Sequence, residues 1–533
     1  MHTADDVLIL GKSIYTRNSE SDRYKGLIIS DGKISKLVES YSEAKKIIRP
    51  GTKVYDFKNG HIYPGFHDSH GHLLKLGYKL NEIHLAECRS YAEMLDRLNE
   101  AKDKHASHDL VVGSGWQHEL WKDCDSFVKG FPTNKAISEI FPSTPLLLIH
   151  YSFHMILANK AAIALLKEQN DLTGNPDIIC DEHGVPTGIF LGPAKNLFDN
   201  HIYKKNPAKM ISSAISHYHK NGITCVHDAA IEIDQLEHYE KAMEILGTPL
   251  KIRAMAIARK ERAPEELIDF IKANRFYSDS ISINSIKLFM DGAMGTHTAL
   301  LKEDYADRPG QTGHEFMPYE HIHKCTKLAA ENDVQVCTHA IGDLAVERIV
   351  NLYCETIKEH SDPDAIRLRL EHGVILPDHL LNLVAEYNII VSIQALHALD
   401  DSPWLEKVIG TERAMLCHRF QDLQKSGVIM VNGSDAPIAD VNPISAFQVL
   451  TGRHPINNKP GLSPAEVLDI LTINAAYASF SESSCGVLAE GFDADITVLS
   501  SSLLEAETDL GAVKTAGTFV RGTPCYINED FLS

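Results

Sequence analysis

Eight short β-like runs spread over residues 61–437 constrain this chain more than any other feature. They read HIYPGFHDSH, GITCVHD, KIRAMAIA, SINSIKLFMDG, DVQVCTHAIGD, IRLRLEHG, NIIVSIQALH and GVIMVNGSDAP. Between them come EHIHKCTKLAAEND, LAVERIVNLYCETIKE and LPDHLLNLVAE, whose apolar spacing suits helices that lay one side on a sheet. Eight strands with helical cover predict an α/β fold, a (β/α)8 TIM-like barrel in which polar residues at the C-terminal strand ends face the active site. Periodicity alone also admits an open, doubly wound sheet.

The flanks have a different character. VLILGKSIYT, KGLIISDGKISKL and TKVYDFKNGHIYPGF are short apolar runs separated by SDGK and KNG turns, a hairpin pattern, and the tail repeats it in GVLAEGFDADITVLSSSL and GAVKTAGTFVRGTPC. The expected organisation is a composite β-sandwich domain from residues 1–62 and 484–533 around a barrel at 63–483. The stretch 75–210 is too long for a simple first crossover, so it is expected to form an inserted lid or subdomain.

Composition narrows the class. Lys and Arg total 52 against 72 Asp and Glu, a formal charge of −20, which argues against wrapping nucleic acid or lying on anionic lipid. No run approaches 18 consecutive apolar residues, and the first residues, MHTADDVLILGKSIYT, carry acid where a secretory signal would carry base. Ten cysteines without a CxxC pair do not make a disulfide framework. A cytoplasmic protein is expected. Histidine, at 28 residues, is abundant and stands at the ends of β-like runs, a placement that needs a chemical reason.

That reason is sharpest in PGFHDSHGHLL. On an extended strand end His70 and His72 stand two apart, so both imidazoles project to one side and can chelate a divalent ion. Asp68 shares that parity and is a candidate to orient an imidazole or approach the metal. Lys287 in IKLFMDG, His339 after VQVCT, His372 after RLRLE and Asp435 after VIMVNGS complete a site if the strand ends converge in a barrel. Each has a blander reading: a buried salt bridge for Lys287, core hydrogen bonding for the histidines, and a turn or helix cap for Asp435.

With these motifs assembled, the sequence resembles the metal-dependent amidohydrolases, in the amidohydrolase 3 branch that contains N-substituted formamide deformylase and the YtcJ-like hydrolases. The resemblance covers nearly the whole chain, through PGFHDSHGH, HMILANKAAI, DEHGVPTGIF, NGITCVHDAA, IKLFMDGAMGTHTALL, THAIGDLAVERIV, RLEHG, GSDAPIADVNPISAF and LSPAEVLDILTINAAYAS. It implies that His70 and His72 are one pair of metal ligands and that His339 and His372 are another. Lys287 would be the lysine that can be carboxylated and bridge two metals, and Asp435 the acid at the last barrel strand. Two zinc ions are the favoured occupancy, with one zinc or another divalent ion as alternatives.

The resemblance also implies a reaction. A bound metal acidifies water, and Asp435 accepts a proton during attack on an amide carbonyl and returns one to the departing nitrogen. His154 and His397 are candidates for polar aid or substrate contact, Asp291 for a cap, an orienting group or a substrate ligand, and Arg413 for either a helix-surface salt bridge or the site. Trp116 and Trp121 could wall a bulky substituent or pack the insertion. Two departures bear on the substrate: Ala436 stands where many relatives have an aromatic, and HYSFHMIL lacks an arginine usual in its approach. An elongated or aromatic N-substituted small-molecule amide, or formamide, fits best. The competing readings are a deaminase of an amino-substituted heterocycle, a cyclic-amide hydrolase and a non-catalytic metal-stabilised interaction protein. A homodimer is among the assemblies allowed; nucleic acid and membrane partners are not expected.

Overall fold

A computed structural model of the protein describes residues 6–17, 23–105, 110–122, 127–152, 154–167, 172, 174–198, 206–505 and 507–533. All eight β-like runs of the central segment contribute strands to one sheet: β1 (Phe66–Gly71), β2 (Ile223–Ile231), β3 (Lys251–Ile257), β4 (Ile281–Phe289), β5 (Gln335–Ala340), β6 (Arg369–His372), β7 (Ile390–Ile393) and β8 (Met430–Asn432). They pair in chain order, and every pair is parallel. Parallel strands covered by crossover helices bury both faces, which is why these segments read as apolar runs instead of a clean alternation. The open doubly wound alternative is thereby set aside, because the strand order never reverses.

The helical cover follows its spacing. In α1 (Asp343–Glu359) the buried set includes Ala345, Val346, Ile349, Val350 and Tyr353, a stripe at three- and four-residue intervals. The late LSPAE motif starts a helix at Pro464 with Ser463 as N-cap and Glu466 returning to the Ser463 backbone, a complete capping box.

The barrel closes between β1 and β8 through hydrogen bonds just beyond the short last strand. Asp435 N–H donates to the His70 carbonyl at 2.6 Å and His72 N–H to the Ala436 carbonyl at 3.0 Å. Ser434 adds its backbone N–H and its hydroxyl to the Asp68 carboxylate at 2.9 and 2.5 Å. The two strands approach so closely that a Cβ on Gly433 would lie 2.4 Å from that of His70, so only glycine fits there.

The run HIYPGFHDSH divides. Its first part, His61–Pro64, leaves the barrel and pairs with Ile496–Leu499 near the end of the chain. A five-stranded sheet thus has the order Ser13–Ile14, His61–Pro64, Ile496–Leu499, Thr515–Val520, Thr523–Ile527. A four-stranded sheet of Lys33–Val38, Gly26–Ser30, Val7–Leu10 and Lys53–Asp56 shares its core, in which Ile9, Leu27, Phe57, Ile62, Ile496 and Phe519 are buried together.

By its contacts the chain divides into two compact units, Met1–Lys75 with Ala214–Ser533, which holds the barrel and both of these sheets, and Leu76–Ser213. The second unit has its own six-stranded mixed sheet, ordered Ile178–Cys180, Pro186–Leu191, Met155–Ala158, Leu146–His150, Val111–Trp116, Ile83–His84. Its core includes Leu85, Leu98, Leu148 and Ile189. Among the described residues no helix is long and apolar enough to cross a membrane.

Candidate metal centre and active site

The six residues singled out as ligands stand on or just after barrel strand ends: His70 and His72 at β1, Lys287 on β4, His339 on β5, His372 closing β6 and Asp435 after β8. Convergence is direct. The Nε2 of His72 is 3.0 Å from Asp435 Oδ1 and that of His70 is 3.7 Å from the same oxygen, while Lys287 Nζ is 3.4 Å from His70 Nε2. The His372 ring lies 4.9 Å from that of His70 and 4.4 Å from that of His339, centre to centre.

Each imidazole is anchored through one nitrogen on a neighbouring oxygen. His70 Nδ1 donates to Glu371 Oε2 at 2.6 Å, His72 Nδ1 to the Ala229 carbonyl at 2.8 Å and His372 Nδ1 to Gln394 Oε1 at 2.6 Å. His339 is held by the opposite nitrogen, Nε2, on the Gly292 carbonyl at 3.1 Å. This pattern is the outer support that fixes tautomer and ring plane in metal-ligating histidines. The donor atoms of His70, His372 and Asp435 lie within 4.8 Å of one another. Two imidazoles and a carboxylate at such spacing suit zinc or a similar divalent ion, so the residues present fit a metal.

Electrostatics agree. Burial, then the nearby Lys287, bring the His70 pKa down to about 4, and the same two causes bring His339 down to about 3, so both rings are neutral and able to ligate at neutral pH. Lys287 is 0% exposed, and burial pulls its ammonium below the ordinary lysine value, partly opposed by Glu371 and Asp435. Burial alone would raise the Asp435 carboxyl, but the hydrogen bond from His72 and the surrounding imidazoles hold it well below the usual range, in the basic form. His372 and Asp435 both have left-handed backbones, with φ of 72° and 55°, a costly conformation for residues other than glycine that is found at functional sites.

The other candidates are placed as follows. The carboxylate of Asp68 accepts from Ser434, from Tyr218 OH at 3.0 Å and from the His70 backbone, and so ties the barrel seam. Asp291 is buried and accepts the backbone N–H groups of Leu300, Ile341 and Gly342 at 2.8, 3.0 and 2.8 Å, pinning the loops after β4 and β5. Arg413 donates to the carbonyls of Ile409, Glu303 and Asp304 and braces backbone, where a helix-surface salt bridge had been one expectation. His397 stacks parallel to His372 at 6.4 Å, and its buried Nε2 has no hydrogen-bond partner among the described residues. Ala436 is buried, its N–H on the Ser434 hydroxyl at 3.0 Å.

Three candidates belong to the second unit. Trp116 is fully buried, donates to the Leu148 carbonyl at 2.8 Å and stacks on Trp121 at 5.6 Å, so both indoles pack that unit's core. His154 is exposed.

Sequence reasoning passed over Glu371, Arg369, Gln394 and Asp228. Arg369 donates to Glu371 at 2.9 Å and to the Ser69 carbonyl at 2.9 Å. Burial would raise the Glu371 carboxyl, yet Arg369 and His70 hold it well below the ordinary value. Asp228 accepts from Leu73 N–H at 3.2 Å and Tyr239 OH at 2.8 Å, fixing the chain just after His72. The signal in RLRLEHG was the two-residue step from Arg369 to Glu371, which turns both inward on one strand.

Residues 53–526 match the protein family described as the amidohydrolase family. The chain belongs to that family. The amidohydrolase is 29% identical over 514 residues to YtcJ of Bacillus subtilis, spanning 92% of this chain and 93% of the relative. It is 21% identical over 543 residues to N-substituted formamide deformylase of Arthrobacter pascens, spanning 98% of each. Among solved structures it is similar to an uncharacterized metal-dependent hydrolase from Pyrococcus furiosus, with a TM-score of 0.76, 25% identity and coverage of 94% of this chain and 100% of the other. The chemistry that goes with family, fold and donor cluster is metal-dependent hydrolysis of a non-peptide carbon–nitrogen bond.

Proposed function

We propose that this amidohydrolase cleaves an elongated or aromatic N-substituted amide or formamide, using Asp435 as the proton shuttle and two zinc ions as cofactor. The observation that carries the reading is the approach of His72 Nε2 and His70 Nε2 to a single oxygen of Asp435, at 3.0 and 3.7 Å, beside a buried lysine. His70 and His72 would hold one ion and His339 and His372 the other, with Lys287 as the lysine shared between them and Asp435 as a further ligand. When bound, the metal supplies an acidified water and a Lewis acid for the carbonyl oxygen.

The chain's own groups supply the rest. Asp435 takes the proton of the attacking water at its carboxylate and gives a proton to the departing nitrogen. Lys287, its ammonium disfavoured by burial, is suited to lose its proton and add carbon dioxide at Nζ, which turns a cation into an anionic oxygen donor. The buried, unpartnered Nε2 of His397 is suited to meet the substrate oxygen. The relative that acts on N-substituted formamides supports the substrate class. The organisation that accompanies this reading is a terminal β-domain, 1–62 with 484–533, and a barrel at 63–483 carrying the 75–210 insertion. The nine described cysteines are free thiols, which supports a cytoplasmic setting.

The test joins metal analysis of the purified protein to a substrate panel of N-substituted formamides, other amides, cyclic amides and amino-substituted heterocycles. Formamide or amide cleavage that stops on chelation and returns with zinc is the expected result. Ammonia release from a heterocycle without amide cleavage would replace the proposal with a deaminase, and turnover unchanged after verified metal removal would overturn it altogether.

A further inference from the structure

The second compact unit carries a cluster of ligand-type side chains that the barrel chemistry does not use. His118 and Glu119 lie on the short turn His118–Leu120, and His150 ends the strand Leu146–His150. Their donor atoms lie within 4.8 Å of one another. His118 Nδ1 and His150 Nε2 are each 3.3 Å from one carboxylate oxygen, Glu119 Oε2.

His150 Nε2 makes a hydrogen bond of 3.3 Å to Glu119 Oε2, longer than the usual about 2.7–3.2 Å, and His118 Nδ1, though buried, has no hydrogen-bond partner among the described residues. A tetrahedral zinc site with bonds of about 2.0–2.1 Å instead separates neighbouring ligand atoms by about 3.3 Å. The other nitrogen of His150, Nδ1, is 2.8 Å from Ser152 Oγ and accepts the Ser152 backbone N–H at 3.3 Å, so the ring is anchored there and Nε2 carries the proton that a metal would displace. The two imidazoles pack on Trp116, whose ring centre is 5.6 Å from that of His118 and 4.7 Å from that of His150.

We infer that His118, Glu119 and His150 form a second, separate binding site for a divalent transition-metal ion of the zinc type. Two imidazoles exclude a preference for calcium or magnesium, which favour oxygen-only shells. The side chain of Glu119 is 50% exposed, so solvent can complete the shell and the ion can exchange. The ion would join the turn after the strand Val111–Trp116 to the end of the neighbouring strand, just beyond the point where Tyr151 N–H donates to the Trp116 carbonyl at 3.0 Å.

The experiment uses the full-length protein and cobalt(II) as the probe, with zinc as competitor. Cobalt bound here sits beside Trp116 and quenches its fluorescence, and the titration is read together with metal content after dialysis. Wild type is expected to show a saturable quench that zinc reverses. Glu119→Gln, a change at a half-exposed side chain that need not disturb the fold, is expected to lose about one metal equivalent per chain and most of the quench, as does His118→Ala. A folded E119Q protein that keeps both the full metal content and the quench would overturn the assignment, and so would a wild-type protein whose tryptophan emission ignores cobalt.

Discussion

His70 and Glu371 form a fully buried pair, with the imidazole Nδ1 2.6 Å from Oε2, and the far side of the carboxylate is held by Arg369. The chain Arg369, Glu371, His70 reaches from the barrel interior to the ligand cluster, so a change in the middle should be felt at both ends. Glu371→Gln keeps the volume but removes the charge that fixes the His70 tautomer. Metal affinity should fall about 10- to 100-fold, and the uncompensated Arg369 should cost about 3–5 kcal/mol of stability. Chelator competition and denaturant unfolding measure the two effects; unchanged metal affinity in a folded protein would refute the orienting role.

Asp435→Asn removes the carboxylate that His72 and His70 approach. Turnover on an active amide should drop by about 10²-fold or more. Metal content must be measured on the same sample. Full occupancy with low turnover supports proton transfer, and near-normal turnover at full occupancy contradicts it.

Gly433→Ala probes the seam. Its new Cβ would meet His70 backbone and Cβ atoms at 2.4 Å, which no flexible side chain can relieve. The strands must part, at a cost of about 1–3 kcal/mol or more, and the displaced His70 should weaken metal binding as well. A melting temperature and metal affinity equal to those of wild type would show that the seam yields freely.

Stability should fall with acid through histidines remote from the ligands. Burial brings His219 and His454 down to about 4 from an ordinary 6.5, against the opposing hydrogen bonds to the carbonyls of Pro249 and His418. Between these values the unfolded chain binds more protons than the folded one, so their contribution is complete above 6.5 and is lost as the pH falls toward 4. Each pH unit in that window removes about 1.4 kcal/mol per group at most. Denaturant unfolding across it should show a shallower slope for His219→Gln than for wild type; identical slopes would remove His219 from the account.

Much of this was legible in the chain. The barrel strands announced themselves as apolar runs at crossover spacing, and the six ligand candidates because the chemistry sits at strand ends. Asp68, Asp291 and Arg413 were legible as chemistry-bearing residues; Asp291 caps loop amides and Arg413 holds carbonyls, while Asp68 accepts two hydroxyls as well as backbone N–H groups, and a sequence does not say which of these a charged group will face. Glu371 is the converse case. It stands inside RLEHG beside a chosen ligand, but its partner His70 is 301 positions away and only the closed barrel brings them together. The separate sheet of Leu76–Ser213 was visible only as excess length.

The seam between β1 and β8 has a bearing on biosynthesis. Asp68 and Ser434, which hold it shut, are 366 positions apart, and the strand just before β1 pairs with Ile496–Leu499. A chain emerging from the ribosome therefore carries His70 and His72 long before the groups that enclose them exist. It must keep a line of unsatisfied parallel strands in water until translation is nearly done. Such a protein should depend on chaperone shelter during synthesis, and a stalled or prematurely ended product should be a target for degradation rather than a partly active enzyme.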